Sequence, residues 1–267
     1  MSFSKEQKAE ILLTIEKTLC CRRAVLFGML SARAEAENDI ITIKLDGDDV
    51  VAYFSALVQA FYNKSPEAMT VSSGGRGKVI NFTSKSAAKS VRLSDERIYF
   101  EPNCSSCLSA FLRGVFLASG RLSDPAKQHH FELGVIPARA EAFDNYFSTL
   151  GLNMSIANRA NSKSIYSKRS ETIEDFFALA GMNNTVFKLM NAKINSEVRN
   201  NANRIANCET NNISKAVDTA GRQVALINEL ERLGLMGSLP DDLIFIVRYN
   251  NFCKLGYFFE SVRQTRF

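Results

Sequence analysis

Two pairs of cysteines carry the chemistry that is easiest to read from this 267-residue chain, Cys20-Cys21 and Cys104-Ser-Ser-Cys107. Each pair opens a segment with the apolar spacing of a helix. If those segments pack together, four converging thiolates would make a zinc site. Against that, adjacent cysteines are awkward ligands, and no second Cys-x-x-Cys accompanies the first. Small buried cysteines at a tight helix interface account for the same residues, and so does a redox disulfide pair. Spacing alone leaves open whether Cys20, Cys21, Cys104 and Cys107 converge, so no metal, cofactor or catalytic residue is assigned. Only two histidines leave little material for imidazole catalysis. The stretch Ser72-Ser-Gly-Gly-Arg-Gly77 lacks the lysine spacing of a phosphate cradle and opens no helix, so it reads as a hairpin turn.

Two related segments must position these residues. Superimposing Cys21 on Cys107 brings Ala24 onto Ala110, Leu26 onto Leu112, Gly28 onto Gly114 and Ala32 onto Ala118. Small residues at helical spacing let two backbones approach closely. The reading is two helices, at 20–34 and 105–119, packed at a pseudo-twofold axis. The elements after each helix repeat as well. Ile41, Ile43 and Leu45 alternate with polar residues as in a half-buried strand. Val51, Phe54, Leu57, Val58 and Phe61 recur as on an amphipathic helix over 50–62, and strands near 68–72 and 78–83 flank the glycine-rich turn. The second copy has a strand near 129–136, a helix from Ala138 to Leu150, a hairpin around 153–168 and a helix from Glu171 to Ala180. A polar helix over 4–17 precedes both copies. Beyond Val186 the pattern is wholly helical, with helices expected over 186–207 and 213–233. Gly234 is read as a stop, and Ser238-Leu-Pro240-Asp-Asp starts a helix to about Tyr249, with another over 254–262.

Leu112-Arg-Gly-Val-Phe-Leu-Ala-Ser-Gly120 resembles a decayed LAGLIDADG motif, the paired interface helix of homing endonucleases. Together with Met1-Ser-Phe-Ser, Cys20-Cys21 and Asn203-Arg-Ile-Ala-Asn-Cys-Glu-Thr210, it resembles the WhiA family of bacterial regulators. The resemblance runs from Met1 to about Leu239. It implies an α+β fold: a pseudo-twofold duplicated LAGLIDADG-like domain with a curved antiparallel sheet, followed by an all-α helix-turn-helix domain. The expected boundaries are 1–190 for the first domain (repeats about 1–95 and 96–190), 191–212 for a helical linker and 213–267 for the second. The family continues into a recognition helix about where Val262-Arg-Gln-Thr-Arg-Phe267 stands, so a shortened C-terminus is expected. The resemblance further implies transcription roles around cell division, chromosome organisation and sporulation.

A LAGLIDADG nuclease needs an acid at the bottom of each interface helix to hold divalent ions. The matching positions here are Arg33 and Ser119, with Glu35, Glu37 and Asp124 near them. A hydroxyl without carboxylate partners is a poor ligand and an arginine repels the cation. The leading expectation is therefore a double-stranded-DNA-binding regulator that is not an enzyme. A metal-dependent endonuclease and a partner-binding scaffold that has lost DNA affinity are the alternatives, and protein partners stay open. Arg and Asn can read bases while Lys anchors phosphates. The candidate DNA contacts are Arg199, Asn203, Arg204, Asn207, Lys215, Arg222, Arg248, Lys254, Arg263 and Arg266. Candidate contacts from the sheet hairpins are Arg76, Lys78, Arg159, Lys163, Lys168 and Arg169.

Charge permits this reading without requiring it. Net charge is +5, and residues 191–267 hold 10 Lys/Arg against 8 Asp/Glu, so neither half is a basic tail. No apolar run approaches the roughly 18 residues that span a bilayer, and the N-terminus lacks a signal-peptide core. A cytoplasmic, nucleoid-associated protein with no membrane contact and reduced cysteines is expected.

Overall fold

The chain is described by a computed structural model over residues 2–14, 16–64, 69–74, 77–98, 100–159, 162–241, 244 and 247. It divides into two compact units between Glu197 and Val198. The first opens with α1 (Phe3–Leu13) and α2 (Leu19–Arg33), whose N-cap Thr18 accepts from the Cys21 N–H. Without a loop, α2 runs into β1 (Ala34–Glu37), followed by β2 (Ile40–Leu45) and α3 (Asp48–Tyr62). The hairpin β3 (Thr70–Gly74) and β4 (Gly77–Thr83) leads to α4 (Lys85–Glu96), whose N-cap Ser84 accepts from the Ala87 N–H.

The second copy repeats this order as α5 (Cys107–Ser119), β5 (Gly120–Leu122), β6 (Phe131–Leu133), α6 (Ala140–Thr149), β7 (Ser155–Arg159), β8 (Ser162–Ser167) and α7 (Ser170–Leu179). The expected curved sheet consists of two four-stranded antiparallel sheets of identical topology, β1-β2-β4-β3 and β5-β6-β8-β7. The expected order of elements lacked β1 and β5. At 4 and 3 residues they are too short to show an alternation.

The core lies between the sheets and the paired helices. Ile41, Ile43, Ile80 and Phe82 form the inner face of the first sheet, and Phe131, Leu133 and Ile165 that of the second. In α5 nearly every residue from Cys107 to Ser119 is buried, Arg113 included, as a central helix requires. Rings fill the space beside it. Phe100 stacks on Phe111 at 4.5 Å, and Phe131 lies 4.6 Å from Phe176. Such aromatic pairs add about 0.5–1.5 kcal/mol beyond their buried area.

The two helices expected over 186–207 and 213–233 are one, α8 (Asn183–Arg232). Cys208-Glu-Thr-Asn-Asn212 holds neither Gly nor Pro, and the Thr210 hydroxyl donates back to the Ala206 carbonyl at 2.8 Å, so nothing interrupts the ladder. The start of α8 is tied to α1 through Lys188–Glu6 (2.6 Å) and to α7 through Lys193–Glu171 (3.1 Å). After Arg232 the described chain has a short 3₁₀ turn (Met236–Ser238) and a helical bond from Ile244 N–H to the Pro240 carbonyl. The helix expected over 254–262 lies outside the described residues. No helix among the described residues is long and apolar enough to cross a membrane.

Candidate nucleic-acid interface

The geometry of the site starts from two glycines. A Cβ on Gly28 would stand 2.3 Å from the Phe111 carbonyl oxygen, and one on Gly114 would stand 2.1 Å from that of Val25. Backbone therefore meets backbone where α2 and α5 cross, and the pairing read from the small residues is direct. At the C-terminal ends of these helices stand Arg33 and Ser119. The Arg33 guanidinium donates to the Gly134 carbonyl (3.0 Å), and the Ser119 hydroxyl donates to the Val115 carbonyl (2.7 Å). Of the nearby acids, Glu35 and Glu37 are exposed on β1, and Asp124 accepts from the Ala126 N–H in a surface turn.

Over these helix ends lies a cleft of about 950 Å³. It is lined by Lys5, Lys8, Arg33, Arg121 and Lys163 together with Asp46, Asp48, Asp49 and Glu132. Lys8 rests its ammonium 6.0 Å from the Phe116 ring centroid. Burial holds Lys8 down to about 8, with Arg121 and Arg33 adding repulsion and Asp46 opposing it. Apart from Lys163, sequence reasoning passed over this cluster, because Arg33 counted only as a missing acid and Lys8 as one polar residue of a terminal helix.

The shift of Lys8 has a consequence for stability. Its folded-state value lies below the ordinary lysine value of about 10.4, so above pH 8 the unfolded chain binds more protons than the folded one. Stability is therefore expected to gain a component that grows between about pH 8 and 10.4 and to lack it below pH 8. Lys8→Met should remove that component in urea titrations across the window. An identical pH profile for both proteins would contradict the assignment.

The hairpin cations are placed by register. Lys78 pairs in the ladder with Leu45, on the helix-covered side of the sheet, and its ammonium is 2.7 Å from Asp48 in the first turn of α3. Lys163 occupies the related place in the second copy, 3.5 Å from Glu141 in the first turn of α6. Lys168 and Arg169 are exposed between β8 and α7, at the opposite end of β8 from the hairpin turn. Arg159 pairs with Ser162 by backbone register, and Arg76 lies outside the described residues. On the solvent side the two sheets present Lys44 and Arg121, neither of which was among the candidates.

Arg199, Asn203, Arg204, Asn207, Lys215 and Arg222 are all exposed on α8. At about 100° per residue, Arg204, Lys215 and Arg222 fall within about 20° of one another on the helix. The stripe is about 27 Å long at about 1.5 Å per residue. Among the described residues, none of the three is in an ion pair. Arg199, Asn203 and Asn207 lie about 60–140° round the helix from it. Arg248, Lys254, Arg263 and Arg266 lie outside the described residues.

At the N-terminal ends of the paired helices the four cysteines come together. Cys104 Sγ lies 3.7 Å from Cys20 Sγ, 3.5 Å from Cys21 Sγ and 3.4 Å from Cys107 Sγ. Hydrogen bonding with the Cys107 thiol, then with the Ser106 backbone and the Cys21 thiol, holds Cys104 down to about 7. Burial pushes Cys107 up to about 12 and raises Cys21 as well.

Comparison with known proteins matches residues 108–199 to the WhiA LAGLIDADG-like domain and residues 202–251 to the WhiA C-terminal HTH domain. A "Probable cell division protein WhiA" of Syntrophomonas wolfei is 30% identical over 269 residues, covering 91% of this chain and 84% of that protein. The protein of that name in Lachnoclostridium phytofermentans is 27% identical, over 100% of this chain and 87% of its own. The one in Clostridium botulinum is 39% identical over 60% of this chain, and there the match spans only 50% of the relative's length. Full-length DUF199/WhiA of Thermatoga maritima superposes with a TM-score of 0.63 at 19% identity, covering 92% of this chain and 85% of that one. The N-terminal LAGLIDADG domain of DUF199/WhiA superposes with a TM-score of 0.51 at 20% identity, over 67% of this chain and 90% of that one.

Proposed function

The chain belongs to the WhiA family, and from that premise we propose that it is a double-stranded-DNA-binding regulator that grips DNA without cutting it. The observation that carries the reading is the exposed stripe Arg204, Lys215 and Arg222, none of them ion-paired among the described residues, within the segment that matches the HTH domain. A row of such cations along one helix neutralises phosphates, and neighbouring Asn203 and Asn207 have the chemistry to read adenine. Lys44 and Arg121, exposed on the two sheets, are further cations with the chemistry to contact phosphates. The absence of an acid at positions 33 and 119 argues for binding over hydrolysis, since a two-metal cut requires carboxylates at the helix ends. The relatives are named as probable cell division proteins, and for this chain we propose a role there through control of transcription at the nucleoid.

The test is a titration of the full chain against duplex DNA at several salt concentrations. Affinity should fall linearly on a log–log plot, by about 0.9 in slope per phosphate neutralised. Arg204→Ala, Lys215→Ala and Arg222→Ala combined should reduce that slope by about 2–3. A flat salt response would remove the reading. Plasmid incubated with Mg²⁺ should stay intact, and nicking lost on changing Glu35 or Asp124 would favour the endonuclease instead.

A further inference from the structure

We propose that Cys20, Cys21, Cys104 and Cys107 bind one Zn²⁺ ion as a tetrahedral tetrathiolate clasp across the N-terminal ends of α2 and α5. The four Sγ atoms all lie within 4.8 Å of one another. Zinc–thiolate bonds of about 2.3 Å place the corners of a tetrahedron about 3.8 Å apart. The three sulfur separations at Cys104 are 3.7, 3.5 and 3.4 Å. Cys104 therefore has three partners at nearly equal distance, which suits a shared central ion better than any one disulfide, whose bond is about 2.05 Å.

The objection that adjacent cysteines make awkward ligands is answered by the fold. Cys20 and Cys21 sit in the first turn of α2, and both thiols face Cys104, which approaches from the loop before α5. The Cys107 N–H donates to the Cys104 carbonyl at 3.1 Å, closing the Cys-x-x-Cys turn. Four thiolates around Zn²⁺ carry a net charge of −2, and the two helices begin at the cluster with the positive ends of their dipoles. Cys20 and Cys104 are half-exposed, which gives an ion a way in. The site lies at the end of the helix pair opposite Arg33 and Ser119, about 20 Å along α2. It is therefore separate from the place where a LAGLIDADG nuclease would hold its ions. Binding breaks four S–H bonds, forms four Zn–S bonds and releases the protons to solvent, with no change of oxidation state.

The test uses the full chain, reduced and freed of metal, titrated anaerobically with Co²⁺ as the spectroscopic probe. One Co²⁺ per chain should bind with the charge-transfer and ligand-field bands of a tetrahedral thiolate site. An equivalent of Zn²⁺ should then bleach them. Cys104→Ser should lower affinity by more than the roughly 10–100-fold that loss of a supporting contact costs, while Cys208→Ser, at an exposed cysteine outside the cluster, should bind as the unaltered chain does. If Cys104→Ser fails to fold, alkylation mapped by mass spectrometry reads the same point in the unaltered chain. Zn²⁺ should protect Cys20, Cys21, Cys104 and Cys107. Equal alkylation with and without Zn²⁺, octahedral Co²⁺ bands, or a folded Cys104→Ser that binds undiminished would overturn the proposal. So would a Cys104 disulfide that forms in air with Zn²⁺ in excess.

Discussion

Gly114→Ala is expected to lower the melting temperature of the Met1–Glu197 unit by roughly 6–12 °C, and Gly28→Ala by a similar amount. The Cβ introduced at 114 would lie 2.1 Å from the Val25 carbonyl oxygen and 2.9 Å from its Cα, and the one at 28 would lie 2.9 Å from the Val115 nitrogen. These neighbours are backbone atoms of a buried helix and have no rotamer to move into. Accommodation requires α2 and α5 to separate, which opens the tightest seam in the core on both sides. Overpacking costs about 1–3 kcal/mol where side chains can shift, and about 3 kcal/mol or more is reasonable here. A unit of this size melts about 2–4 °C lower for each kcal/mol lost. Gly221→Ala is the matched control. Nothing lies within 4 Å of its Cβ position and it sits inside α8, so the same change should stabilise that helix by up to about 1 kcal/mol. If Gly114→Ala melts within about 2 °C of the unaltered chain, the two helices are not in backbone contact.

The second large effect concerns Glu16 and Arg113. One carboxylate oxygen of Glu16 accepts from two guanidinium nitrogens of Arg113, at 3.0 and 2.7 Å, while the third nitrogen donates to the Ala180 carbonyl at 2.7 Å. The side chains are only 7% and 9% exposed. Glu16→Ala would leave a buried guanidinium held by a single carbonyl, a loss of about 3–5 kcal/mol for breaking such a pair. Arg113 also joins the entry to α2, the middle of α5 and the end of α7, so its loss loosens three elements at once. Replacing both partners by apolar residues, Glu16→Leu with Arg113→Met, should cost less than either single change, because no charge is then stranded. A double-mutant cycle in urea measures the difference. Additive losses would show that the pair is not coupled.

How far the sequence was legible depends on whether a feature is local. The duplication was readable because Gly28 and Gly114 must be small for a steric reason that both copies share, and one offset aligns them. Lys78 and Lys163 were among the expected sheet contacts because they are cations of the two hairpins. Ladder register instead sets them beside Asp48 and Glu141 on the helix-covered side, and only strand pairing fixes a residue's face. Separate helices were expected over 186–207 and 213–233 because a heavily polar pattern gives way to an amphipathic stripe at Ile213; with no Gly or Pro between them, one continuous helix carries both patterns. Arg248, Lys254, Arg263 and Arg266 stay expectations from sequence alone.

Periodicity and the repeated small residues determined that this chain folds as a duplicated α/β unit followed by helices, and the resemblance of Leu112–Gly120 to a LAGLIDADG motif is what marks Arg33 and Ser119 as standing where such a nuclease carries acids. Those facts lie in residue types and in local spacings that recur at one constant offset. Tertiary structure alone decided that Lys8, Arg33 and Arg121 share one cleft, and that Cys20 and Cys21 meet Cys104 and Cys107. The physical reason is that the cysteine pairs are more than 80 residues apart. Which ends of two helices meet is set by their crossing and by the loops that deliver them, and no local pattern encodes either.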